Sequence, residues 1–288
     1  MSVSPSQTPT RSGALADAAQ RIGRREAREL LQHICRISHA GLIAGGDVQL
    51  STGEGDAYAD LVARRVAGEP LAYLLGSAWF AGREFAVTPD VLIPRSDTEV
   101  LVEQGLAAIA GMASPRIVDL GTGSGIVAVS LALARPDAEV WSVDLSPAAL
   151  AVAQGNAQRH GANVRFLLGD WFAPLAGERF DLIVSNPPYV AAGDPHLERD
   201  GLPFEPALAL TDGVPGGDGM ACVAHLVNQA AAHLRPGGVL RIEHGYDQAV
   251  KTRTLLCDAG FVDVASWCDP AGIERVTGGA LAPNGAAS

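Results

Sequence analysis

Apolar runs short enough to be strands alternate with helical segments along the chain after Pro94. Six such runs read RIVDL, AEVWSVDL, VRFLLGD, FDLIVSN, GVLRIEHG and FVDVASW. They are separated by helical segments such as SPAALAVAQGNAQRH, in which Ser146 and Pro147 form a favourable helix start. Nearly continuous apolar strands in a βαβ order are typical of a mostly parallel sheet that helices cover on both faces. The sequence therefore predicts an α/β fold for this part of the chain.

The first part of the chain has a different pattern. From Ala14 to about Arg65, apolar residues such as Leu30 and Ile34 recur at helical spacing, with glycine-rich breaks at GLIAGG and STGEG. This pattern predicts a small helical bundle. The next segment reads GSAWFAGREFAVTP, and its two short apolar runs around Gly82 predict a β-hairpin.

These patterns predict five segments along the chain. We expect a disordered tail at residues 1–12, a helical domain at 13–76, a hairpin linker at 77–95, the α/β domain at 96–280 and a flexible tail at 281–288. Ser96 followed by Glu99 has the spacing of a capping box, which predicts that a helix begins at this point.

Charge is unevenly distributed along the chain, whose net charge is −11. Residues 1–80 contain eight Arg and eight acidic residues, whereas residues 81–288 contain 13 Lys or Arg and 24 Asp or Glu. An acidic surface repels a phosphate backbone, so this excess counts against nucleic acid as the main partner. It allows a basic protein partner instead.

Signals for targeting and for metal binding are missing from the sequence. The start MSVSPSQTPT has no basic region followed by an apolar core, and the chain has no run of 18 apolar residues. We therefore expect a soluble, cytoplasmic protein with no membrane partner. The four cysteines are scattered without CxxC spacing and the seven histidines form no ligand cluster, so no metal site is predicted.

A glycine-rich turn follows the first strand of the α/β part. It reads VDLGTGSG, and doubly wound folds bind ligands at such a strand-to-helix turn. Gly121, Gly123 and Gly125 let the backbone approach a ligand and expose amide N–H groups at a helix N-terminus. A dinucleotide would favour glycine where this chain has Ile126, whereas GxGxG with Asp119 ahead of it suits a ligand that carries both an ammonium and a carboxylate. The alternative is a tight turn without a ligand.

Residues at the ends of the next two strands extend this predicted site. Asp144 lies 19 residues after Gly125, where a carboxylate can accept hydrogen bonds from both ribose hydroxyls of a nucleoside. Asp170 and Trp171 offer an acceptor for an adenine amino group and a flat surface for its ring. In other interpretations Asp144 stabilises a helix N-terminus and Trp171 only fills the core. Together, these residues predict a binding site for S-adenosylmethionine.

The fourth strand is followed by the motif NPPY, residues Asn186 to Tyr189. Pro187 and Pro188 have no N–H and a fixed φ, so the loop offers carbonyl acceptors on a stiff backbone. Asn186 Oδ1 and the Pro187 carbonyl can each accept one hydrogen of an NH₂ group, and Tyr189 can stack on the planar group that carries it. This frame fits the amino group of adenine as well as the side-chain amide of glutamine. The alternative is a rigid turn without a catalytic role.

Longer stretches of the chain resemble the release-factor glutamine methyltransferases, the HemK/PrmC family. The likeness is carried by DLGTGSG, GDWFAPL, FDLIVSNPPY, FEPALAL, DGM and LRPGGVLRIEHGYDQ, together with LIPRSDTEVLVE and EPLAYLLG. It runs from RREARELLQH to AGIERV, which is nearly the whole chain. Two features depart from the family pattern: Ser96 stands where the family usually has Pro, and the loop TDGVPGGDGM is a little longer.

The resemblance implies a class I S-adenosylmethionine-dependent methyltransferase domain, Rossmann-like with a seven-stranded sheet, behind a helical domain that helps to dock a release factor. The donor would contact Gly121, Thr122, Gly123, Ser124, Gly125, Asp144, Trp171 and Asn186. The substrate amide would lie against Asn186, Pro187, Pro188 and Tyr189, with Asn186, Pro187 and Tyr189 catalytic. The implied reaction methylates the side-chain amide nitrogen (N5) of the glutamine in the GGQ motif of class I peptide chain release factors. Its other product is S-adenosylhomocysteine, and we expect the enzyme to be a monomer.

Three other functions share parts of this pattern. An adenine-N6 nucleic-acid methyltransferase uses the same acceptor frame but needs a basic and aromatic target-recognition region. A glutamine methyltransferase of a ribosomal protein shares the catalytic core, and a non-catalytic S-adenosylmethionine-binding subunit would not need an intact NPPY. Arg95 and Glu205 lie in family motifs, where they either form a salt bridge between loops or contact the substrate.

Overall fold

The computed structural model describes residues 8–283, and the chain divides into two units on either side of the Gly76–Ser77 bond. Of the two tails predicted from the sequence, residues 1–7 and 284–288 lie outside the described residues. Within the described part, the tail boundaries are corrected at both ends. Helix α1 already begins at Arg11, because the Thr10 side chain accepts a hydrogen bond from the Gly13 N–H and caps it. The last strand continues to Leu281.

The first unit is helical, as the periodicity predicts. Its helices are α1 (Arg11–Ile22), α2 (Arg24–Cys35), α3 (His39–Ala44), α4 (Thr52–Val66) and α5 (Leu71–Leu75). Leu30 and Leu31 on α2 are fully buried among apolar residues of the other helices. The Tyr58 hydroxyl donates to the Ala27 carbonyl at 2.9 Å, so this buried polar group is satisfied. Burial of these side chains is the main term that holds the unit together.

The second unit is built on a seven-stranded sheet. Its strands lie in the order β10 (Phe261–Cys268), β11 (Glu274–Leu281), β9 (Leu234–Glu243), β6 (Phe180–Ser185), β3 (Arg116–Leu120), β4 (Glu139–Asp144) and β5 (Val164–Leu168). The pairs from β9 through β5 are parallel, and β11 is antiparallel to both of its neighbours. Since β3, β4 and β6 are adjacent and parallel, their carboxyl ends meet at one edge.

Helices cover both faces of this sheet. They are α6 (Glu99–Ala108), α7 (Ile126–Ala134), α8 (Pro147–His160), α10 (Ala221–His233) and α11 (Ala249–Asp258). One apolar core includes α6, α7 and α8, and the other includes α10 and α11. Between β6 and α10 the chain forms the short strands β7 (Val190–Ala192) and β8 (Thr211–Pro215), with the one-turn helix α9 (Ala207–Leu210) before β8. The predicted α/β class is confirmed by this sheet.

The predicted hairpin consists of β1 (Ser77–Phe80) and β2 (Arg83–Ala86), and it packs as part of the second unit. Phe80 and Phe85 are buried in the core that contains α6, α7 and α8. The Asn156 side chain on α8 accepts from the Ala86 N–H at 2.8 Å and donates to the Ala86 carbonyl at 2.9 Å. The segment is therefore integrated into the domain rather than an extended linker.

The predicted capping box at Ser96 and Glu99 is wrong. Ser96 begins a 3₁₀ turn that precedes α6, and its hydroxyl hydrogen-bonds to Asp97 instead. The Glu99 carboxylate accepts from the Ala81 N–H at 3.0 Å, so it serves the turn of the hairpin and not the cap of its own helix. Glu99 therefore bonds to a residue distant in the sequence instead of to the N-terminus of its own helix.

Candidate active site

A cavity of about 230 Å³ lies at the carboxyl edge of β3, β4 and β6. Nine of the twelve residues proposed from the sequence line it: Gly121, Thr122, Gly123, Ser124, Asp144, Asp170, Trp171, Asn186 and Pro188. Gly125, Pro187 and Tyr189 do not line it. The segments that follow four strands thus converge on one concave site, the usual place for a ligand in an open α/β sheet.

The glycine turn connects β3 to α7 in a conformation that requires glycine at several positions. Gly121, Gly123 and Gly125 have φ values of 73°, 54° and 81°, in the left-handed region that side chains disfavour. A Cβ atom on Gly125 would lie 2.9 Å from the Ala153 Cβ, which is too close. A Cβ atom on Gly121 would lie 3.2 Å from the Trp171 ring. The turn therefore allows α8 and Trp171 to pack directly against its backbone.

Asp119 is a buried carboxyl group at the end of β3. Burial is the main cause that raises its pKa to about 7, and the nearby Asp144 carboxyl contributes to the increase. The Thr122 hydroxyl donates to Asp119 Oδ2 at 2.7 Å and partly offsets this effect. An ammonium group in the adjoining cavity would stabilise the ionised form of Asp119. The residues around the turn therefore suit a ligand with a positive charge.

Asp144 holds the glycine turn in place. Its Oδ2 accepts from the Gly123 N–H at 2.8 Å and its Oδ1 accepts from the Ser146 N–H at 2.9 Å. Each carboxylate oxygen therefore already accepts one hydrogen bond from the protein. Each carboxylate oxygen retains a second lone pair, so the residue can still accept from a ribose hydroxyl. Ser146 caps α8 as predicted, since its side chain accepts from the Ala149 N–H.

Trp171 lies at a position that fits both interpretations left open by the sequence. Its ring packs partly against the core that contains α10 and α11 and also lines the cavity. Its φ of 43° places it in the left-handed region, which is unusual for a large residue. Backbone strain of this kind concentrates at functional sites. Asp170 lines the same part of the cavity, so an acceptor and an aromatic face lie side by side as predicted.

Asn186 follows the last residue of β6 and lines the cavity. Its Nδ2 donates to the Thr98 hydroxyl at 3.1 Å. With the amide oriented in this way, Oδ1 is the atom left to accept a hydrogen bond from a ligand. The Ser185 hydroxyl donates to the Leu120 carbonyl at 2.7 Å and fixes the end of β6 against β3. The first acceptor of the proposed frame is thus held by protein contacts.

Tyr189 is held by contacts at its hydroxyl and at its carbonyl. Its hydroxyl is 3.5 Å from Glu243 Oε1, and its carbonyl accepts from the Gln248 side chain at 2.9 Å. Tyr189 is not among the residues that line the cavity, and its stacking on a substrate stays a prediction. The same Gln248 amide donates to the Asp218 carbonyl at 3.1 Å, and Gly219 lies directly against the Tyr189 carbonyl. These contacts clamp the end of the NPPY loop.

Arg95 and Glu205 form an ion pair, as one of the two interpretations of the sequence proposed, and Arg95 also lines the cavity. The Glu205 carboxylate is buried and also accepts from the Ile93 N–H at 3.0 Å. The pair connects the segment before α6 to residues 202–210, which we call the cavity strap. Pro206 and Leu208 of the strap line the cavity, so the pair holds one of its walls.

Comparison with known protein families and proteins shows which family this chain belongs to. The family described as Methyltransferase small domain matches residues 96–198, and PrmC N-terminal domain matches residues 12–76. The release factor glutamine methyltransferase of Bordetella pertussis is 54% identical over 90% of this chain and 95% of its own length. That of Escherichia coli K12 is 42% identical over 88% of this chain and 91% of its own length. The chain belongs to the release factor glutamine methyltransferase family.

Solved structures of other methyltransferases have the same fold as this chain at low sequence identity. A T. thermophilus 16S rRNA methyltransferase, solved in complex with AdoMet and guanosine, has a TM-score of 0.53 and 24% identity over 71% of this chain and 49% of that chain. A methyltransferase from Pyrococcus furiosus has a TM-score of 0.51 and 16% identity over 78% of this chain and 99% of that chain. The predicted class I methyltransferase fold is confirmed. Across residues 8–283, none of the helices has the length and apolar character needed to cross a membrane.

Three residues that support this site were not found from the sequence. Thr98, Glu243 and Gln248 are buried polar residues that contact Asn186 or Tyr189. They come from the turn before α6, the end of β9 and the residue before α11. None has a local motif that marks it. The signal that could have revealed Glu243 is its position at the carboxyl end of an apolar strand, where parallel strands place functional groups.

Proposed function

We propose that this enzyme transfers the methyl group of S-adenosylmethionine to the side-chain amide nitrogen (N5) of the glutamine in the GGQ motif of class I peptide chain release factors. The observation that carries the proposal is the Asn186 amide, which Thr98 holds with its oxygen available at the cavity beside the glycine turn. The names and high identity of the full-length relatives support the same substrate class.

The residues at the cavity fit S-adenosylmethionine. Asp119 would balance the positive charge, Asp144 would accept from the ribose, and Asp170 and Trp171 would bind the adenine. Gly121, Thr122, Gly123, Ser124 and Gly125 would surround the amino-acid part. When bound, S-adenosylmethionine supplies an electrophilic methyl group, and S-adenosylhomocysteine is the product that leaves. Asp119 is a buried acid beside the glycine turn, and its pKa is raised. This feature favours a cationic ligand over a neutral nucleoside.

The NPPY loop would receive the amide. A carboxamide nitrogen is a poor nucleophile, since its lone pair is delocalised into the carbonyl. Asn186 Oδ1 and the Pro187 carbonyl would each accept one N–H and orient the nitrogen, and fixed orientation is a large contribution to such a transfer. Pro188 lines the cavity and keeps the loop stiff. Tyr189 supports the loop through its carbonyl and hydroxyl contacts, and its ring would stack on the planar amide group.

Further proposals concern the partner and its location. Residues 13–76 would dock the release factor, which the match of residues 12–76 to the PrmC N-terminal domain supports. The acidic charge of −11 supports a protein partner rather than nucleic acid. Because release factors work at the ribosome, the enzyme would act in the cytoplasm, and we expect it to act as a monomer.

The function is tested with labelled S-adenosylmethionine and a purified class I release factor. The matched control is the same release factor with the GGQ glutamine changed to alanine. We expect label on the first protein and none on the second. Equal labelling of both, or labelling only of DNA or of a ribosomal protein, would overturn the assignment.

A further inference from the structure

Two buried polar side chains lie beside Asn186, and one of them, Thr98, also lines the cavity. Thr98 and Glu243 are each only 1% exposed. Glu243 ends β9, and β9 runs parallel to β6 with Ile242 paired to Ser185. The register therefore brings Glu243 beside Asn186 at the same edge of the sheet. A buried carboxyl group at this place needs hydrogen-bond donors.

Few donors are available to Glu243. Its Oε2 is buried and has no partner at ordinary hydrogen-bond geometry within residues 8–283. Oε1 is 3.5 Å from the Tyr189 hydroxyl, which is a long contact. The Thr98 hydroxyl also favours the charged form of Glu243, although no hydrogen bond of ordinary geometry joins the two residues. A hydroxyl has one proton, and the carboxylate is the strongest acceptor within its reach.

This single proton determines the orientation of the Asn186 amide. When Thr98 directs its proton to Glu243, only its lone pairs remain for Asn186, and the contact of 3.1 Å then requires an N–H donor. The Asn186 side chain must present Nδ2 to Thr98 and Oδ1 to the cavity. If the proton pointed at Asn186, the amide would turn over and present NH₂ to the cavity. Such a site could not accept the N–H groups of a substrate amide.

We propose that Thr98 and Glu243 are positioning residues that hold the Asn186 amide with its oxygen toward the cavity and so adapt the site to a substrate NH₂ group. The inference rests on the proposed function, since it explains how this chain fixes the acceptor that the glutamine amide would meet. Glu243 does not line the cavity. Both act through Asn186.

The arrangement makes turnover sensitive to pH. Burial raises the pKa of Glu243 to about 7, and the nearby Asp97 carboxylate adds to the increase. Arg275 and the Thr98 and Tyr189 hydroxyls favour the charged form. Below about pH 7 Glu243 gains a proton and becomes a donor, which frees the Thr98 proton to point at Asn186. The rate of methyl transfer should therefore fall as the pH drops through this region.

Two substitutions of Thr98 separate this role from general packing. Thr98→Val keeps the shape and removes the hydroxyl, whereas Thr98→Ser keeps the hydroxyl. We expect Thr98→Val to lower kcat by about tenfold or more with little change in the KM for S-adenosylmethionine, and Thr98→Ser to stay within about threefold. Thr98→Val should also lose the fall in kcat below about pH 7 that the unsubstituted enzyme shows, because Glu243 can no longer act through residue 98.

A control substitution makes the same chemical change elsewhere. Thr254 is exposed on α11, and its hydroxyl donates to the Val250 carbonyl of the same helix. Thr254→Val should leave kcat and its pH profile unchanged. A kcat for Thr98→Val within twofold of the original, or an intact acid limb in that variant, would overturn the positioning role. If the unsubstituted enzyme labels no release factor, the proposed function itself fails, which is a separate outcome.

Discussion

Individual residues of the site depend on backbone conformations that few side chains allow. Gly121, Gly123 and Gly125 all have positive φ, and Trp171 at φ 43° is one of six non-glycine residues with this conformation in the described chain. The glycines let the turn contact Trp171 and α8 directly. The turn is therefore held by close packing as well as by the hydrogen bond from the Gly123 N–H to Asp144.

Replacing Gly125 tests this packing. Gly125→Ala would place a Cβ 2.9 Å from the Ala153 Cβ at a φ of 81°, and the left-handed backbone alone costs about 1–2 kcal/mol. We expect a lower free energy of unfolding in denaturant titration, together with weaker binding of S-adenosylmethionine.

Gly155 provides the matched control for that substitution. It lies on the exposed side of α8, and a Cβ there would meet nothing within 4 Å. Gly155→Ala should stabilise the protein by about 0.5–1 kcal/mol, since alanine is favoured in a helix. Equal effects of the two substitutions would contradict the close packing of the turn.

At the level of elements, irregular segments form walls of the cavity. An ion pair and hydrogen bonds from a side-chain amide hold these segments in place. The strap at residues 202–210 is joined to the chain before α6 by Arg95 and Glu205. The NPPY loop is joined to the Gly219 region by Gln248. β7 and β8 pair with each other beside the same loop. These contacts hold irregular segments against the rigid sheet.

The strap should loosen when its ion pair is removed. Arg95→Met would leave the buried Glu205 carboxylate with the Ile93 N–H as its remaining donor among the hydrogen bonds described above. The Arg95 side chain is 38% exposed, so solvent screening reduces the expected local cost to about 1 kcal/mol. We expect faster hydrogen exchange in residues 202–210 and lower turnover.

An exposed ion pair serves as the comparison. Lys251 and Asp218 are 56% and 59% exposed, and such pairs contribute about 0–1 kcal/mol. Lys251→Met should leave exchange in the strap unchanged. If Arg95→Met also leaves it unchanged, the ion pair does not hold the strap.

Helices and strands with a regular pattern of apolar residues could be predicted from the sequence. Those without such a pattern could not. The six apolar strands and the first-unit helices follow from periodicity alone. Strand β11 was not found in this way, because Gly278 and Gly279 interrupt its apolar pattern. A Cβ on Gly278 would lie 2.1 Å from the Leu240 carbonyl, so these glycines permit close pairing with β9. The seven-stranded count came from the family resemblance.

The same distinction applies to the site. The glycine turn, Asp144, Asp170 and NPPY each lie at or just after the end of a strand, so the chain order places them together. Thr98 and Glu243 meet Asn186 only because β9 lies beside β6 and α6 begins nearby. The contacts of Tyr189 with Glu243 and Gln248 likewise join residues far apart in the sequence. Long-range packing of this kind cannot be read from local spacing.

For the whole molecule, we expect the two units to have different roles. Each of the residues proposed to bind the donor or the amide lies in the second unit. If residues 13–76 dock the release factor, a chain that begins at Ser77 should bind S-adenosylmethionine within a few fold of the full chain. Its KM for the release factor should rise by about tenfold or more, since docking supplies binding energy remote from the reacting atoms. Unchanged KM in steady-state kinetics would exclude the docking role.

The central claim is that the Asn186 amide oxygen receives the substrate NH₂ group. The most direct measurement is the single-turnover rate of Asn186→Ala with a release factor, alongside the affinity for S-adenosylmethionine by calorimetry. We predict that the affinity stays within a few fold while the rate falls by about a hundredfold or more, the loss expected when one preorganised hydrogen-bond partner is removed. A near-normal rate, or a loss of affinity that accounts for the whole change, would contradict the account.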